Sequence, residues 1–394
     1  MRRRLFRFVV VAGSTLVAAL VVIELCLRAF PGIRPSYAQQ RMDAVYRGAE
    51  SDRPWYVEDD ELGFLGRPFR TDTIDGASLQ NDRYGFANVE PWPERVDIVF
   101  LGDSLLKGAG VGNEWQFSTL VSKRLPGRSV INLGLSGASP AHQLRIYRRF
   151  AAQLQPKVVI ACLYIASDVD NAKHFDAWER VGKQWSYQEF RVDHYWRVRG
   201  QIAGADSGGA SGDEHVTHDA ARPGWKARVR RAVYATAVGS ELLYLLDPWR
   251  NGLLHDVKFP DGSRVFLFER FQDRLEMGIG DDYPSIDEIF FGPLVELRAT
   301  VESAGAKFVV ALIPSKEEIF HAAGNVGTQR TVREVRQRLE ELGMPVLDLY
   351  APISDVAHET APFRSYDIHL SRVGHGAVAN AIVDWMDEAG ASGM

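Results

Sequence analysis

At 394 residues the chain has room for one large α/β domain or two smaller ones. A composition of 46% hydrophobic and 25% charged residues excludes a disordered or fibrous chain. A net charge of -5, with the positive residues dispersed, excludes a nucleic-acid-binding face.

The first predicted element is apolar. Arg2, Arg3, Arg4 and Arg7 precede a run from Phe8 to Leu27 that only Glu24 interrupts. Twenty residues at helical rise span roughly 30 Å, one hydrocarbon core. The arginine cluster predicts a cytoplasmic tail, with the remainder across the membrane. Ser36-Tyr37-Ala38 offers a signal-peptide cleavage site. The long apolar run, ending well before that site, favours an uncleaved span over a signal peptide. Cys26 follows a large Leu25, which argues against a lipoprotein, and a disulfide from Cys26 to Cys162 is not expected.

Residues 31–95 are rich in Pro, Gly and charge, with aromatic pieces such as Leu62-Gly63-Phe64 and Tyr84-Gly85-Phe86. They predict a stalk followed by irregular structure. From Val96 apolar runs alternate with amphipathic stretches. Strands are expected over 96–101, 128–132, 157–164, 307–313 and 345–349, and helices over 114–125, 140–154, 286–304 and 327–342. That alternation predicts an open, parallel, doubly wound sheet, with ligands bound beyond the C-terminal strand ends. The organisation is then 1–30 tail and anchor, 31–95 extension, and 96–390 main domain.

The pattern breaks over about 172–284, read as an insertion covering the active-site edge. It holds a Gly/Ala/Ser/Asp-rich loop from Gly204 to Gly224, a helical piece from Glu241 to Leu246, and a hairpin about Pro260-Asp261-Gly262-Ser263. Glu214-His215-Val216-Thr217-His218-Asp219 carries metal-ligand residue types, but no further block has ligand spacing, so a solvated loop is expected and no metal.

Four pieces carry chemistry. Gly102-Asp103-Ser104-Leu105 ends an apolar strand and delivers a serine to a helix start, where its N–H can face an oxyanion. Asn132-Leu133-Gly134-Leu135-Ser136-Gly137 follows the next strand and offers a second N–H at Gly137. Leu163-Tyr164-Ile165-Ala166-Ser167-Asp168 follows a third. Tyr366-Asp367-Ile368-His369 precedes the last helix. Serine, then acid, then imidazole in that order suits nucleophilic acyl chemistry. Each piece alone has a plainer reading as a turn or a helix cap.

In these blocks the chain resembles the SGNH/GDSL hydrolase superfamily, over roughly residues 96–165 and 305–385. The resemblance implies a flavodoxin-like three-layer α/β/α fold and no cofactor. It makes Ser104 the nucleophile, His369 the general base and Asp367 its partner, with Ser104, Gly137 and Ser167 forming the oxyanion hole. Asp103, Asn171 and Lys316 are further candidates for substrate contact. His375, after Gly374, is expected to be a packed or surface residue rather than a second base. The N-terminal span and Ile313-Pro314-Ser315-Lys316 are similar to membrane-anchored bacterial members. That similarity implies a single-pass protein of the cytoplasmic membrane with its domain on the periplasmic side. Its substrate would be O-acylated, chiefly O-acetylated, carbohydrate or a small ester, near envelope polysaccharide machinery.

Two departures stand out. The third block has Ser167 where such proteins carry an asparagine, and Asp367 and His369 are only two residues apart. The first supports a competing reading, a catalytically weak or inactive binding or assembly protein with the same fold. A metal-dependent hydrolase ranks third.

Overall fold

The computed structural model describes residues 2–29, 56–74, 77–184, 186–187, 190, 253–268, 285–320, 326–365 and 368–390. The chain forms two compact units, Met1–Asp52 with Ser211–Leu253, and Arg53–Ala210 with Leu254–Met394. In the first, α1 runs over Arg2–Ala29. Among the described residues no helix is long and apolar enough to cross a membrane. The side chains of α1 are described only over residues 11–26 and at residue 29.

The second unit is built on a five-stranded parallel sheet. Its members are β5 (Ile98–Gly102), β6 (Val130–Gly134), β7 (Val158–Tyr164), β10 (Lys307–Ile313) and β11 (Val346–Asp348). The spatial order β11-β10-β7-β5-β6 is the doubly wound order of flavodoxin-like sheets, reversing direction at β5 and β7. All five predicted strands fall within two residues of these limits. They were legible because a sheet covered on both faces needs side chains that are apolar on both.

Alternate residues serve opposite layers. Val99, Leu101, Val159, Ala161, Val310 and Leu312 enter one core. Ile98, Phe100, Val158, Ile160, Val309 and Ala311 enter the other. The first core is covered by α4 (Pro140–Ile146), α5 (Ile165–Arg180), α6 (Gly292–Ser303) and α8 (Val326–Glu341). The second is covered by α2 (Ser104–Lys107), α3 (Phe117–Arg124), α7 (Lys316–Ile319), α9 (Tyr350–Val356) and α10 (Arg372–Glu388). Each large side chain so buried contributes about 1.5–3 kcal/mol.

α5 continues to Arg180, past residue 172 from which the insertion was read. Its later turns bury Phe175 and Trp178 and end on a two-pronged Arg145–Glu179 pair at 2.9 and 2.7 Å. The predicted hairpin is present as β8 (Leu253–Lys258) and β9 (Arg264–Phe268). The Gly204–Gly224 loop, the Glu241–Leu246 piece and the Glu214–Asp219 cluster lie outside the described residues.

The stalk expected at the start of the extension, residues 31–55, lies outside the described residues, and the part from Tyr56 is regular rather than irregular. That part forms two short antiparallel pairs, β1 (Tyr56–Asp59) with β2 (Gly63–Gly66) and β3 (Thr71–Ile74) with β4 (Ala77–Gln80). The loop that follows packs so closely that a Cβ on Gly85 would lie 1.9 Å from the Gly66 carbonyl oxygen. Asp82 gathers this loop, accepting from the N–H groups of Tyr84 and Phe86, from Asn88 and from the Trp92 indole. Asn88 then docks it on the sheet edge. Its amide donates to Asn132 O and accepts from Asn132 N–H, both at 2.8 Å, as a neighbouring strand would.

Asn88→Ala removes both bonds from the β6 edge, and a loss of about 1–3 kcal/mol is expected. The urea unfolding midpoint measures it; an unshifted midpoint would mean that water replaces the amide without cost.

Candidate active site

β5 ends in the turn that presents Ser104. Gly102 suits the close packing there, since a Cβ would crowd Cys162 Cβ at 3.0 Å and Leu106 Cβ at 3.1 Å. Asp103 caps α2, its carboxylate accepting from Leu105 N–H at 2.9 Å. The cap fixes where the helix starts and so where the Ser104 side chain points.

His369 arrives from the far end of the chain. Its Nε2 lies 2.9 Å from Ser104 Oγ across a separation of 265 residues. The loop that carries it is tied down repeatedly. Arg364 N–H donates to His369 O at 2.8 Å, Phe363 bridges Leu370, and the Arg364 guanidinium bonds Gly110 O. Ser371 caps α10 and donates its hydroxyl to Ala361 O at 2.6 Å. From the hairpin, Phe266 N–H donates to Ser365 O at 2.8 Å. Asp367 lies outside the described residues.

After β6, Gly137 adopts φ 80°, a conformation suited to glycine, in a tight turn beside the Ser104 strand end. Leu135 N–H donates to Gly102 O and Ala138 N–H to Leu135 O. The N–H groups of Ser104 and Gly137 have no backbone acceptor among the described residues. A hydroxyl within reach of an imidazole, beside uncommitted N–H groups, can be deprotonated as it attacks an electrophile.

Ser167 takes a different place from an oxyanion donor. Its hydroxyl lies 3.3 Å from Asp103 Oδ2 and 3.4 Å from Asp168 Oδ1, bridging two fully buried carboxyls. Burial pushes both acids above the ordinary carboxylate range, and Asp168 furthest because Asp103's charge adds to it. Asp103 has Leu105 N–H and His369 to favour its charge, whereas Asp168 has Tyr164 N–H at 2.9 Å. The anion therefore resides on Asp103 and the proton on Asp168. Ser167 Oγ stands within hydrogen-bond distance of both acids and gives its hydroxyl to the charged Asp103.

The other candidates are placed as follows. Asp103 is buried and committed to this cluster rather than open to substrate. Asn171, 4% exposed, holds its amide 3.5 Å from Ala138 O, next to Gly137. Lys316 is fully buried rather than at a solvated helix start, and its Nζ donates to Phe266 O at 2.6 Å. Burial and the two acids push the Cys162 thiol well up, so it stays protonated. His375 is packed: Nδ1 accepts from Phe117 N–H at 3.2 Å, and burial lowers it to about 3, keeping the ring neutral. Among the described residues no group of three His, Cys, Asp or Glu side chains is placed to hold a metal ion.

The carboxyl pair escaped sequence reading. Its only signal was an acid just after each of two apolar strands, and nothing in one chain says that those strands are neighbours. Nor did the sequence distinguish Asn132, whose side chain bonds Leu106 O, Gln116 and Ser118 and so fastens the two helices after Ser104 to β6.

No family model and no curated protein matches the chain. Among solved structures it is similar to lipolytic hydrolases of the G-D-S-L type. A lipase/acylhydrolase from Enterococcus faecalis is 11% identical, with a TM-score of 0.35, covering 75% of this chain and 96% of that one. An acetyl xylan esterase, AlAXEase, is 10% identical at TM-score 0.35, covering 74% and 99%. The psychrotrophic esterase EstA from Pseudoalteromonas sp. is 13% identical at TM-score 0.36, covering 74% and 97%. Likeness of this size leaves the functional reading to rest on the geometry above.

Asp168 binds its proton more tightly folded than unfolded. Its contribution to stability is complete below the unfolded value and is lost as pH rises through the raised folded one. Asp168→Asn keeps the neutral shape, so a higher thermal midpoint than the parent is expected at about pH 8, the gap closing near pH 4. Calorimetry across pH tests this; parallel curves would place no proton on Asp168.

Proposed function

We propose that the chain is a serine esterase or acyltransferase acting on O-acyl groups of carbohydrate, chiefly O-acetyl, through an acyl-enzyme on Ser104. The observation that carries this reading is the 2.9 Å approach of His369 Nε2 to Ser104 Oγ at the C-terminal end of the sheet. As Ser104 Oγ bonds to the ester carbonyl carbon, its proton passes to His369 Nε2. The oxyanion meets the N–H groups of Ser104 and Gly137, with the Asn171 amide nearby. His369 then protonates the departing sugar oxygen. Water, or a second sugar hydroxyl, then gives its proton to His369 and takes the acyl group, and as the acyl–Ser104 bond breaks His369 returns that proton to Ser104 Oγ. Asp367 is assigned the role of orienting the imidazole. No cofactor enters these steps.

A second reading, a non-catalytic binding or assembly protein, draws on one observation. Ser167 gives its hydroxyl to Asp103 and not to the oxyanion position. The two readings part on a single pair of measurements. The full-length protein is expected to release p-nitrophenol from p-nitrophenyl acetate, and Ser104→Ala to reduce kcat at least about 10⁴-fold. A fluorophosphonate probe should label Ser104. Absence of both turnover and adduct would favour the binding protein, and adduct with slow turnover that a glycan accelerates would favour transfer.

We also propose that the N-terminal helix anchors the protein in a bacterial cytoplasmic membrane, with residues 96–390 outside the cytoplasm. The support is a continuous helix over Arg2–Ala29 with no acid in its first turn and with Val11, Leu16, Val17 and Leu25 exposed. The expected result is retention in the membrane pellet after an alkaline carbonate wash, with an intact N-terminus. Release into the wash, or a mature chain starting near Gln39, would overturn it.

A further inference from the structure

A second concave site lies beside β6. A cavity of about 750 Å³ opens between Phe69, residues 78–93 and α3, a volume typical of small-molecule sites. It is separate from Ser104 but close to it. Asn132, in its wall, stands two residues before Gly134, which pairs with Gly102 at the foot of the Ser104 turn. One strand across and a few residues along is on the order of 10 Å.

The lining selects a chemical class. Gln80, Thr119 and Ser122 contribute neutral hydrogen-bonding side chains that make no hydrogen bond among the described residues. Charge at the wall is already engaged. Glu90 pairs with Arg83 at 3.0 Å, and Lys123 Nζ donates to Glu114 O at 3.0 Å. A phosphate or other anion would find no cluster of cations there. A fatty acyl chain would strip water from amides and hydroxyls without replacing their hydrogen bonds. A neutral polyol satisfies them.

The aromatic residues fit the same class. Trp92 is held in the wall by its indole bond to Asp82 and by packing on Tyr84 at 4.7 Å. Phe69 is 66% exposed at the rim and has φ 55°, a left-handed conformation unfavourable for a bulky side chain. The backbone enforces it, with Phe69 N–H on Asp82 O and Asn81 N–H on Arg70 O. Strain kept by surrounding bonds, holding a large ring out in water, marks a functional position rather than a packing one. An aromatic face presents negative charge density to the C–H bonds of a pyranose ring.

We propose that this cavity binds a stretch of neutral polysaccharide. One pyranose ring stacks on Phe69, and its neighbours' hydroxyls bond Gln80, Thr119 and Ser122. Bound there, a glycan would present substituents along its length to the Ser104 turn at raised effective concentration. Binding at the cavity does not depend on the chemistry proposed for Ser104.

Titration calorimetry of the full-length protein with unacylated cello-, xylo- and mannopentaose tests this. These probes contain no ester, so the outcome is independent of whether Ser104 reacts. At least one is expected to bind. Phe69→Gly removes the ring while accepting the positive φ, so it should keep the thermal midpoint and weaken binding about tenfold. Ser122→Trp, which fills the cavity, should abolish binding. No heat from any of the three sugars, or equal affinity in both variants, would overturn the proposal.

Discussion

One buried charge organises the second unit. Asp103 is 3% exposed at the end of a fully buried strand, where an anion survives only if it is supplied with hydrogen bonds and opposite charge. Leu105 N–H supplies the first, which obliges a helix to start at Ser104. Ser167 supplies another, and His369 adds a Coulombic interaction that favours the charge. The geometry of the serine and the imidazole is thus a consequence of satisfying one carboxylate. The same charge excludes a second anion beside it, so Asp168 remains protonated and Cys162 remains a thiol.

The His369 loop depends on support from distant elements. Phe266 is the junction: its N–H reaches Ser365 and its carbonyl takes the buried ammonium of Lys316. The hairpin is therefore coupled to the loop just ahead of His369, and the residues after β10 are coupled to both. Lys316 is useful there because its chain is apolar and its head needs an acceptor, so burying it orients whatever carbonyl it meets. On the other side of the loop, His375 fastens α10 to α3 as a neutral ring stacked on Phe117 with centroids 5.5 Å apart.

What could be read in advance follows from range. The five strands were legible because an all-parallel sheet leaves continuous apolar runs, and Val158–Tyr164 is buried at every position. Their helices were legible from one apolar face each. The end of α5 was not, because its last turns carry Lys173, His174, Asp176, Glu179 and Arg180 around only two large apolar side chains. The hairpins before the sheet were not legible either. Strands of four residues have too little pattern, and the contact that docks their loop is one amide imitating backbone. Ser167 was visible as a letter just after an apolar strand. Its effect was not, since that depends on which of two acids holds a proton.

Giving the Ser167 hydroxyl to Asp103 has an energetic consequence for the proposed reaction. An oxyanion donor is worth about 2.7–4 kcal/mol in the transition state. A hydroxyl given to an anion returns about 1.5–3 kcal/mol at good geometry, and at 3.3 Å the Ser167–Asp103 contact lies at the weak end. The exchange is unfavourable by itself and requires a donor from elsewhere. Asn171 is placed to supply it, four residues on and hence on the same face of α5. Its bond to Ala138 O, at 3.5 Å, is at the limit of a hydrogen bond, so turning the amide toward an oxyanion beside Gly137 gives up little. In the proposed reaction Asn171 would thus serve as the donor one helical turn beyond Ser167, whose own hydroxyl lies between the two buried acids.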